Sequence, residues 1–325
     1  MSSRLDDVAD RTGLSIVSSG LGAEGRMLVS AAITPLVTPP VTPLVTPLTT
    51  PLAVDLSVRQ LHARLDALVR DGELHEQEAA LARSLPEARR DAFVAGRRAL
   101  RAAIRAVAPD RADLPLLLAR PLLRTTRGAP TLPFGVRGSI SHKRTRAIAM
   151  AEAGTHGHLG VDLEERTPVT GTWLDAPPDF AAAAQRHRTL ASRILTAREQ
   201  DALATEVAAT FHQRRRAAPA ATEETTQPAQ VAIARRTISP EMVMHDAIIR
   251  DATLLRFALK EAVYKAIDPV VQRYVRFTEV EVDVHEHGAA TIHLMLPELD
   301  GHDAQLDAWW QMDDRWIMAA VRAEL

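Results

Sequence analysis

The chain has 325 residues, no cysteine, and 39 Lys and Arg against 41 Asp and Glu, for a net charge of −2. This charge argues against a general nucleic-acid binder, and the missing cysteine excludes disulfides, thiolate metal sites and a cysteine nucleophile. We expect a soluble cytoplasmic protein, since the sequence starts without a secretory signal and lacks any run of about 18 apolar residues that could cross a membrane.

The basic residues are almost all arginine, with lysine only at positions 143, 260 and 265. A lysine kept in so arginine-rich a chain is a candidate for a position that arginine cannot fill, because lysine is a compact point charge and arginine a planar fork. Lys260 and Lys265 lie in one short segment. That segment is therefore the first candidate for function.

The N-terminal segment, residues 1–54, contains a Thr-Pro repeat, TPLVTPPVTPLVTPLTTPL, at 34–52. Frequent proline forbids an α-helix and weakens sheet pairing, so we expect an extended, poorly ordered and peripheral segment. Docking to a proline-recognising partner is the alternative.

Helical periodicity follows this segment. Residues 58–69 fit a helix or a short strand equally well, whereas 76–83 and 86–107 predict helices. In the second of these, Phe93 and Ile104 lie on one apolar face.

The rest of the chain predicts loops, strands and one more long helix. Residues 109–134 predict loops with short strands. Alternating patterns predict strands over 139–152 (two strands joined by a turn), 160–164, 275–284, 290–296 and 316–321. Aperiodic segments at 168–190 and about 205–245 are interpreted as insertions, and the second, with RRRAAPAATEETTQPAQ at its centre, is expected to be disordered. Residues 242–266 predict a helix. The whole predicts an α+β fold with mostly antiparallel strands.

The strand GVDLE (160–164) carries two carboxylates. Residues two apart on a strand point to the same face, so Asp162 and Glu164 should lie side by side. Paired carboxylates are half of a magnesium site, because Mg²⁺ takes one or two carboxylates together with phosphate and water oxygens. The alternative is an exposed strand face with ordinary acids.

The lysine segment FALKEAVYKAI (257–267) predicts a helix. Glu261 and Lys265 lie one turn apart on the same face, and Lys260 is rotated by about 100° from Glu261. The pair is a candidate for phosphate and metal chemistry. The alternative is a plain salt bridge within the helix.

The segment GSISH (138–142) offers short polar side chains on a strand. Ser139 and Ser141 should share one face, and His142 adds a further donor. Such a set suits a phosphate group. A polar strand end with a solvent-facing histidine is the alternative.

An arginine stripe marks the helix EARRDAFVAGRRALRAAI (87–104). Arg90, Arg97 and Arg101 lie on one side of it. Guanidinium groups in a row can clamp phosphates, although a solvated face is an equal alternative.

The four motifs in this order resemble the 4′-phosphopantetheinyl transferase superfamily. Its surfactin-type branch is the most similar, and within it the enterobactin synthase component D group. That group carries (R/K)RxxF-x-AGR, GSISH, G(I/V)D(I/L)E and FSxKEA-x-(Y/F)KA. The resemblance extends over about residues 60–325 and is interrupted by the two insertions.

The resemblance implies two α+β halves related by a pseudo-twofold axis. We place these halves at about 55–158 and 159–325. Coenzyme A and Mg²⁺ would bind in the cleft between them. The chain would act as a monomer, because the second half replaces a partner subunit.

The resemblance also implies the reaction. A serine of an apo acyl or peptidyl carrier protein attacks the β-phosphate of coenzyme A, takes the phosphopantetheine arm and releases adenosine 3′,5′-bisphosphate. The carrier would belong to secondary metabolism, siderophore synthesis in particular. A catalytically inactive CoA-binding or interaction module of the same fold is the alternative.

The family motifs assign metal and base roles to four carboxylates. Asp162, Glu164 and Glu261 would bind Mg²⁺. The general base would be Glu261, directly or through water, or Glu199 in ILTAREQDAL (194–203).

The motifs also assign coenzyme A contacts to Arg89, Arg90, Arg97, Ser141, His142, Lys143, Lys260 and Lys265. Lys265 would contact the phosphate under attack, and Arg97 the nucleotide end. Arg90, or else Arg89, would hold the 3′-phosphate.

Two departures from the family pattern concern the cleft. Ala258 stands where relatives have a small hydroxyl residue. A family basic residue in the loop before GSISH is replaced by Ala129. We expect Arg124 or Arg127 to take its place.

Overall fold

The structure is a computed structural model of the chain. The residues that it describes are 14–19, 28–33, 44–45, 58–107, 112–143, 146–166, 180–217, 240–299 and 304–325.

The described residues contain seven α-helices. They are α1 (Val58–Arg70), α2 (Glu76–Ser84), α3 (Glu87–Val107), α4 (Leu114–Leu118), α5 (Phe180–Ile194), α6 (Ala197–Ala217) and α7 (Pro240–Val271). None of these described helices combines the length and the apolar character needed to cross a membrane.

The strands of the described residues pair antiparallel throughout. They are β1 (Leu14–Ser19), β2 (Leu28–Ile33), β3 (Leu44–Val45), β4 (Val136–Lys143), β5 (Arg146–Ala153), β6 (His158–Glu165), β7 (Val280–Val284), β8 (Ala289–Leu294), β9 (Gln305–Met312) and β10 (Trp316–Glu324). They form three sheets, in the orders β1-β2-β3, β4-β5 and β6-β10-β9-β8-β7. The predicted α+β class with antiparallel strands is confirmed.

Most predicted elements are present, although the predicted strand 275–284 begins with a 3₁₀ turn at Phe277–Glu279. The ambiguous segment 58–69 is helical, and the predicted loops of 109–134 contain α4. Strand β9, with the sequence QLDAWWQM, was not predicted. It lies between β8 and β10, its neighbours in the chain, and its apolar residues Leu306, Ala308, Trp310 and Met312 recur at every second position, a strand pattern that could have predicted it.

Both predicted insertions contribute helix to the structure. Helix α5 covers part of 168–190, and α6 runs into 205–245 as far as Ala217. Their apolar residues pack with the first half of α7 around Ile194. The disorder that we predicted for 205–245 is wrong for 205–217 and 240–245, which are helical, and residues 218–239 lie outside the described residues.

The N-terminal segment is described only at its three short strands. Strands β1 and β2 pair along their full length, and β3 pairs with β2 within the Thr-Pro repeat. The rest of 1–57, including most of the repeat, lies outside the described residues.

Helix α7 is the centre of the second half of the chain. Its apolar residues extend around most of its circumference, a pattern typical of a buried helix. Ala258, Leu259, Val263 and Ile267 are fully buried and pack on the five-stranded sheet. The helix therefore presents its charged side chains from a fixed position.

Helix α3 has the same role in the first half. Leu100 and Ile104 of α3 are fully buried and pack against Ala149 and Ala151 of β5. Strand β4 runs between this core and β6, with which it exchanges side-chain hydrogen bonds. The two halves of the chain thus meet along β4 and β6.

Gly160 allows β6 to lie unusually close to α7. A Cβ atom at this position would stand 1.8 Å from the carbonyl oxygen of Ala262 and 2.9 Å from the backbone nitrogen of Ala266. Both obstacles are helix backbone, which cannot move aside without shifting α7. The first residue of GVDLE is therefore glycine for reasons of packing.

We predict that Gly160→Ala lowers the free energy of unfolding by about 2 kcal/mol or more, because overpacking against backbone forces the helix away from the strand. Urea denaturation measures this change. The matched control is Gly96→Ala, whose added methyl meets only a side-chain atom, Cγ2 of Ile140, at 2.9 Å. Equal losses for the two variants would contradict the close-packing argument.

Candidate active site

A cleft of about 1270 Å³ lies between α3, β4, the loop before β4 and α7. It is lined by residues from both halves of the chain. The ionisable side chains along its walls include Arg89, Arg97, Arg124, His142, Glu261 and Lys265. One wall is therefore rich in guanidinium groups, and the other carries the charged face of α7.

The polar side chains of β4 lie on two faces: Ser139 and Ser141 on one, and His142 on the other. The hydroxyl of Ser139 accepts the N–H of Val161 at 3.1 Å, and the hydroxyl of Ser141 donates to Oδ1 of Asp162 at 2.8 Å. The shared face predicted for the two serines is present. His142 points to the other side and lines the cleft. Ser141 thus orients a carboxylate, while His142 is available to a ligand.

The two carboxylates of GVDLE are buried, and each is paired with a lysine. Nζ of Lys265 donates to Oδ1 of Asp162 at 2.6 Å and to the carbonyl oxygen of Val161 at 3.0 Å. Nζ of Lys143 lies 2.8 Å from Oε1 and 2.6 Å from Oε2 of Glu164. The close packing of β6 on α7 puts Lys265 beside the strand.

Glu261 is the third carboxylate of this group and accepts no hydrogen bond from any described residue. Burial raises its pKa, and the negative charges of Asp162 and Glu164 contribute. Burial also raises the pKa of Glu164, against the opposing effect of Lys143. Oδ2 of Asp162 is buried without a hydrogen-bond partner. Two lysines face three carboxylates, so one negative charge remains uncompensated.

The carboxylates of Asp162, Glu164 and Glu261 are oxygen ligands of the type that a hard cation such as Mg²⁺ prefers. Within the described residues, however, no three His, Asp or Glu side chains already lie close enough together to hold a metal ion. The lysine contacts explain this arrangement, because they hold two of the three carboxylates. A metal ion would have to displace those contacts.

Arg97 is the most deeply buried cation on the opposite wall, at 5% exposure. Its guanidinium carbon lies 4.5 Å from the centre of the Phe93 ring, and its Nε and Nη2 have no hydrogen-bond partner. Burial lowers its pKa to about 10, which Glu78 opposes and nearby Arg124 reinforces. Unpartnered buried donors are costly, so this position favours an anionic ligand.

His142 completes the cationic side of the cleft without being charged itself. Burial lowers its pKa, and the ammonium group of Lys265 lowers it further. This shift favours the neutral ring, which has one N–H to donate. It can bind a phosphate oxygen without adding to the positive charge of Lys265.

The arginine stripe of α3 is only partly directed to the cleft. Arg89 and Arg97 line it, whereas Arg90 is not among the lining residues and has its Nε 3.7 Å from Oδ1 of Asp91. Arg101 is buried in a hydrogen-bonded ion pair with Glu78. The stripe predicted from periodicity therefore divides into ligand-facing and structural arginines.

Lys260 and Glu199 are not brought to the cleft. Both are 1% exposed, and they form an ion pair of 2.6 Å. The Nζ atom of Lys260 also donates to the carbonyl oxygens of Ile194, at 2.7 Å, and Phe277, at 2.9 Å. All three ammonium protons are thereby used. This placement does not support the expected phosphate contact of Lys260 or the expected base role of Glu199.

The sequence around Glu199 also indicates a structural role, which the resemblance to the family glutamate did not suggest. It is the fourth residue of Thr196-Ala-Arg-Glu199, the capping-box pattern that begins a helix. The N–H of Thr196 donates to Oε2 of Glu199 at 2.8 Å, and the N–H of Glu199 to Oγ1 of Thr196 at 3.3 Å. Oε1 of Glu199 also accepts the N–H of Val282. The residue joins α6, α7 and β7.

Arg127 ties the loop before β4 to the C-terminal end of α7. Its guanidinium group donates to both carboxylate oxygens of Asp268 and to the carbonyl oxygens of Gln272 and Arg273. Gln272 and Arg273 directly follow the last residue of α7, and a cation beside the C-terminal end of a helix is favourable. Asp268 and Tyr264 were missed by sequence analysis, although they lie at helical spacing from Glu261.

The two basic candidates in that loop are thereby distinguished. Arg127 is engaged with Asp268, and its pKa is raised by that hydrogen-bonded contact. Arg124 lines the cleft close enough to Arg97 to affect its pKa. Arg124 is the better placed of the two to meet a ligand at the position where the family's basic residue is missing.

Comparison with protein families agrees with this geometry. A model of the 4′-phosphopantetheinyl transferase superfamily matches residues 158–321, more than half of the chain, and a model of the 4′-phosphopantetheinyl transferase N-terminal domain matches 76–152. The chain belongs to the 4′-phosphopantetheinyl transferase superfamily. The reaction of this superfamily is transfer of phosphopantetheine from coenzyme A to carrier proteins. The two matched ranges contain every lining residue of the phosphopantetheinyl transferase cleft named above.

A comparison of this phosphopantetheinyl transferase with curated proteins gives no significant match. Membership of the superfamily rests on the two family models.

We predict that Glu199→Gln or Lys260→Met lowers the free energy of unfolding by about 3–5 kcal/mol, because each leaves a buried charge without its partner. Urea denaturation measures the loss, and the double variant should lose less than the two single losses added together. Folded Glu199→Gln protein should keep its turnover. A stable Glu199→Gln variant without turnover would instead support a base role for Glu199.

We predict that Arg127→Ala raises KM for coenzyme A severalfold and leaves kcat nearly unchanged. The variant loosens the loop that carries Arg124, a change that weakens ground-state and transition-state binding alike. Steady-state kinetics separates the two constants. Asp268→Asn should have the same effect, and Arg105→Ala, which removes an arginine–carbonyl contact to Gly72 outside the cleft, should have none. An unchanged KM in both cleft variants would contradict the role of this contact.

Proposed function

We propose that the chain is an active, Mg²⁺-dependent phosphopantetheinyl transferase of the holo-carrier-protein synthase type. It transfers the 4′-phosphopantetheine arm of coenzyme A to a serine of an apo acyl or peptidyl carrier protein and releases adenosine 3′,5′-bisphosphate. One observation carries the proposal. Lys265, His142 and Arg97 line the same cleft as Glu261, next to the paired carboxylates of β6.

The residues that would hold Mg²⁺ are Asp162, Glu164 and Glu261. The partnerless Oδ2 of Asp162 and the carboxylate of Glu261, which accepts no hydrogen bond from a described residue, fit a hard oxygen-seeking cation. When bound, the ion would supply charge neutralisation to the pyrophosphate.

Lys265 and His142 would hold the phosphate oxygens near the carboxylates. The ammonium group of Lys265 lies between Asp162 and the cleft, so it can offset negative charge that develops on the phosphate under attack. His142 donates a neutral hydrogen bond beside it. These contacts are made before reaction, and the chemistry depends chiefly on such positioning.

The transfer itself exchanges one phosphorus–oxygen bond for another. The carrier serine oxygen bonds to the β-phosphorus, the bond from that phosphorus to the nucleotide's bridging oxygen breaks, and the serine proton moves to a base. Glu261, directly or through a water molecule, is the base that we propose, because it lines the cleft together with Lys265 and His142. Glu199 is 1% exposed and committed to Lys260, so we give it no part in the step.

The nucleotide end of coenzyme A would lie on the arginine wall. Arg97 is our candidate for the diphosphate or ribose phosphate, because its buried donors have no partner among the described residues. Arg89 and Arg124 line the same wall, and we place the 3′-phosphate between them. Arg90 would contribute only through long-range attraction.

The carrier protein that we propose belongs to secondary metabolism, with siderophore synthesis as the first candidate. This choice rests on the resemblance of the motifs to the enterobactin synthase component D group. We also propose that the chain acts as a monomer, since the cleft takes its lining from both halves of one chain.

Incubation of apo carrier domains with coenzyme A, Mg²⁺ and the full chain, followed by intact mass measurement, tests the function. We expect a mass gain equal to one phosphopantetheine arm on at least one carrier of a panel from siderophore, polyketide and fatty-acid systems. No gain on any carrier would leave the inactive CoA-binding module as the better description, which calorimetry with coenzyme A would then establish.

We predict that Asp162→Asn and Glu261→Gln each reduce turnover by about 10²-fold or more, the size of effect seen when one preorganised charge interaction is removed from an active site. Circular dichroism and thermal melting show whether the fold is intact. The matched control is Asp66→Asn, a carboxylate on α1 paired with Arg83 at the surface. Turnover within twofold of the native chain in either site variant would contradict the assignment.

A further inference from the structure

Each of the chain's three lysines is paired with one acidic side chain. The pairs are Lys143 with Glu164, Lys260 with Glu199 and Lys265 with Asp162. The side chain of Lys143 is 41% exposed, against 1% for Lys260 and 27% for Lys265. Lys143 is therefore the member of the set that can most easily leave its partner.

The ammonium group of Lys143 contacts both carboxylate oxygens of Glu164, a side chain that is otherwise buried. Its Nζ atom lies 2.8 Å from Oε1 and 2.6 Å from Oε2 of Glu164, whose side chain is 9% exposed. Glu164 lies next to Asp162 on the same face of β6, and the two negative charges repel each other. The Lys143 ammonium offsets this repulsion from the solvent side.

An ammonium group and a divalent cation cannot share one carboxylate without strong repulsion between them. A metal ion that binds Glu164 therefore competes with Lys143 for its oxygens. The position of Lys143 makes displacement feasible, since it is the last residue of β4 and carries a long, half-exposed side chain. The lack of a ready-made metal cage among the described side chains agrees with this arrangement.

We propose that Lys143 is an internal counter-ion that holds Glu164 before the substrate arrives and competes with Mg²⁺ for this carboxylate. The inference rests on the proposed function in one respect, the choice of Glu164 as a metal ligand. It follows that the free protein binds divalent cations weakly. The phosphates of coenzyme A, by adding negative charge to the cleft, strengthen metal binding.

Mn²⁺ titration of the full chain, without coenzyme A or carrier protein, tests this competition. The free ion is counted by electron paramagnetic resonance, and added Mg²⁺ should displace the bound ion. We expect Lys143→Met to bind Mn²⁺ about tenfold more tightly than the native chain, a factor that corresponds to about 1.4 kcal/mol. Lys143→Arg, which keeps the charge, should bind as weakly as the native chain.

The matched control is Arg83→Met, which also removes one positive charge but from a surface pair with Asp66 on α1. It should leave the Mn²⁺ affinity unchanged, because surface charges far from the site are screened by salt. If Lys143→Met does not fold, Lys143→Gln removes the same charge and keeps a polar side chain at the edge of the sheet.

Asp162→Asn separates failure of this inference from failure of the proposed metal site. It should abolish Mn²⁺ binding in both the native and the Lys143→Met backgrounds. Unchanged binding in Asp162→Asn would overturn the metal assignment itself. If instead Asp162→Asn abolishes binding but Lys143→Met binds no more tightly than the native chain, the metal site stands and competition by Lys143 is overturned.

Discussion

The close packing of β6 on α7 is the contact on which the rest of the site depends. Gly160 lets the strand approach the helix backbone, and this approach puts Lys265 within 2.6 Å of Asp162. The two residues come from motifs that lie far apart in the chain. The site is therefore built by a backbone contact between a strand and a helix, and its charged groups take positions that this contact allows.

Charge compensation is the second constraint, since burial makes unpaired charges costly. The chain meets it in two ways. Glu78 with Arg101 and Glu199 with Lys260 are internal pairs that use nearly all their donors and acceptors. Around the cleft, by contrast, Nε and Nη2 of Arg97 and Oδ2 of Asp162 are buried without a hydrogen-bond partner among the described residues. At these positions beside the cleft, the open donors and the open acceptor can meet a ligand.

Local periodicity predicted most of the fold and the core of the site. The strand spacing placed Asp162 and Glu164 on one face, and the helix spacing placed Glu261 beside Lys265. The helix spacing could not place Lys260. A residue rotated by about 100° from Glu261 faces a different neighbour, and only tertiary packing decides which neighbour that is. Strand β9 was missed although its own pattern indicates a strand: Leu306, Ala308, Trp310 and Met312 pack on the core from alternate positions.

The scarcity of lysine now has a physical interpretation in the geometry of each pair. Lys260 has three oxygens around one nitrogen, which matches the three protons of an ammonium group. The planar guanidinium group of arginine suits acceptors that lie in one plane, such as the two carboxylate oxygens of Asp268 that Arg127 binds. Lys143 and Lys265 contact carboxylates that we assign to a metal ion. A compact ammonium can leave such a carboxylate more easily than a bidentate fork, so lysine suits a site whose counter-ion must change.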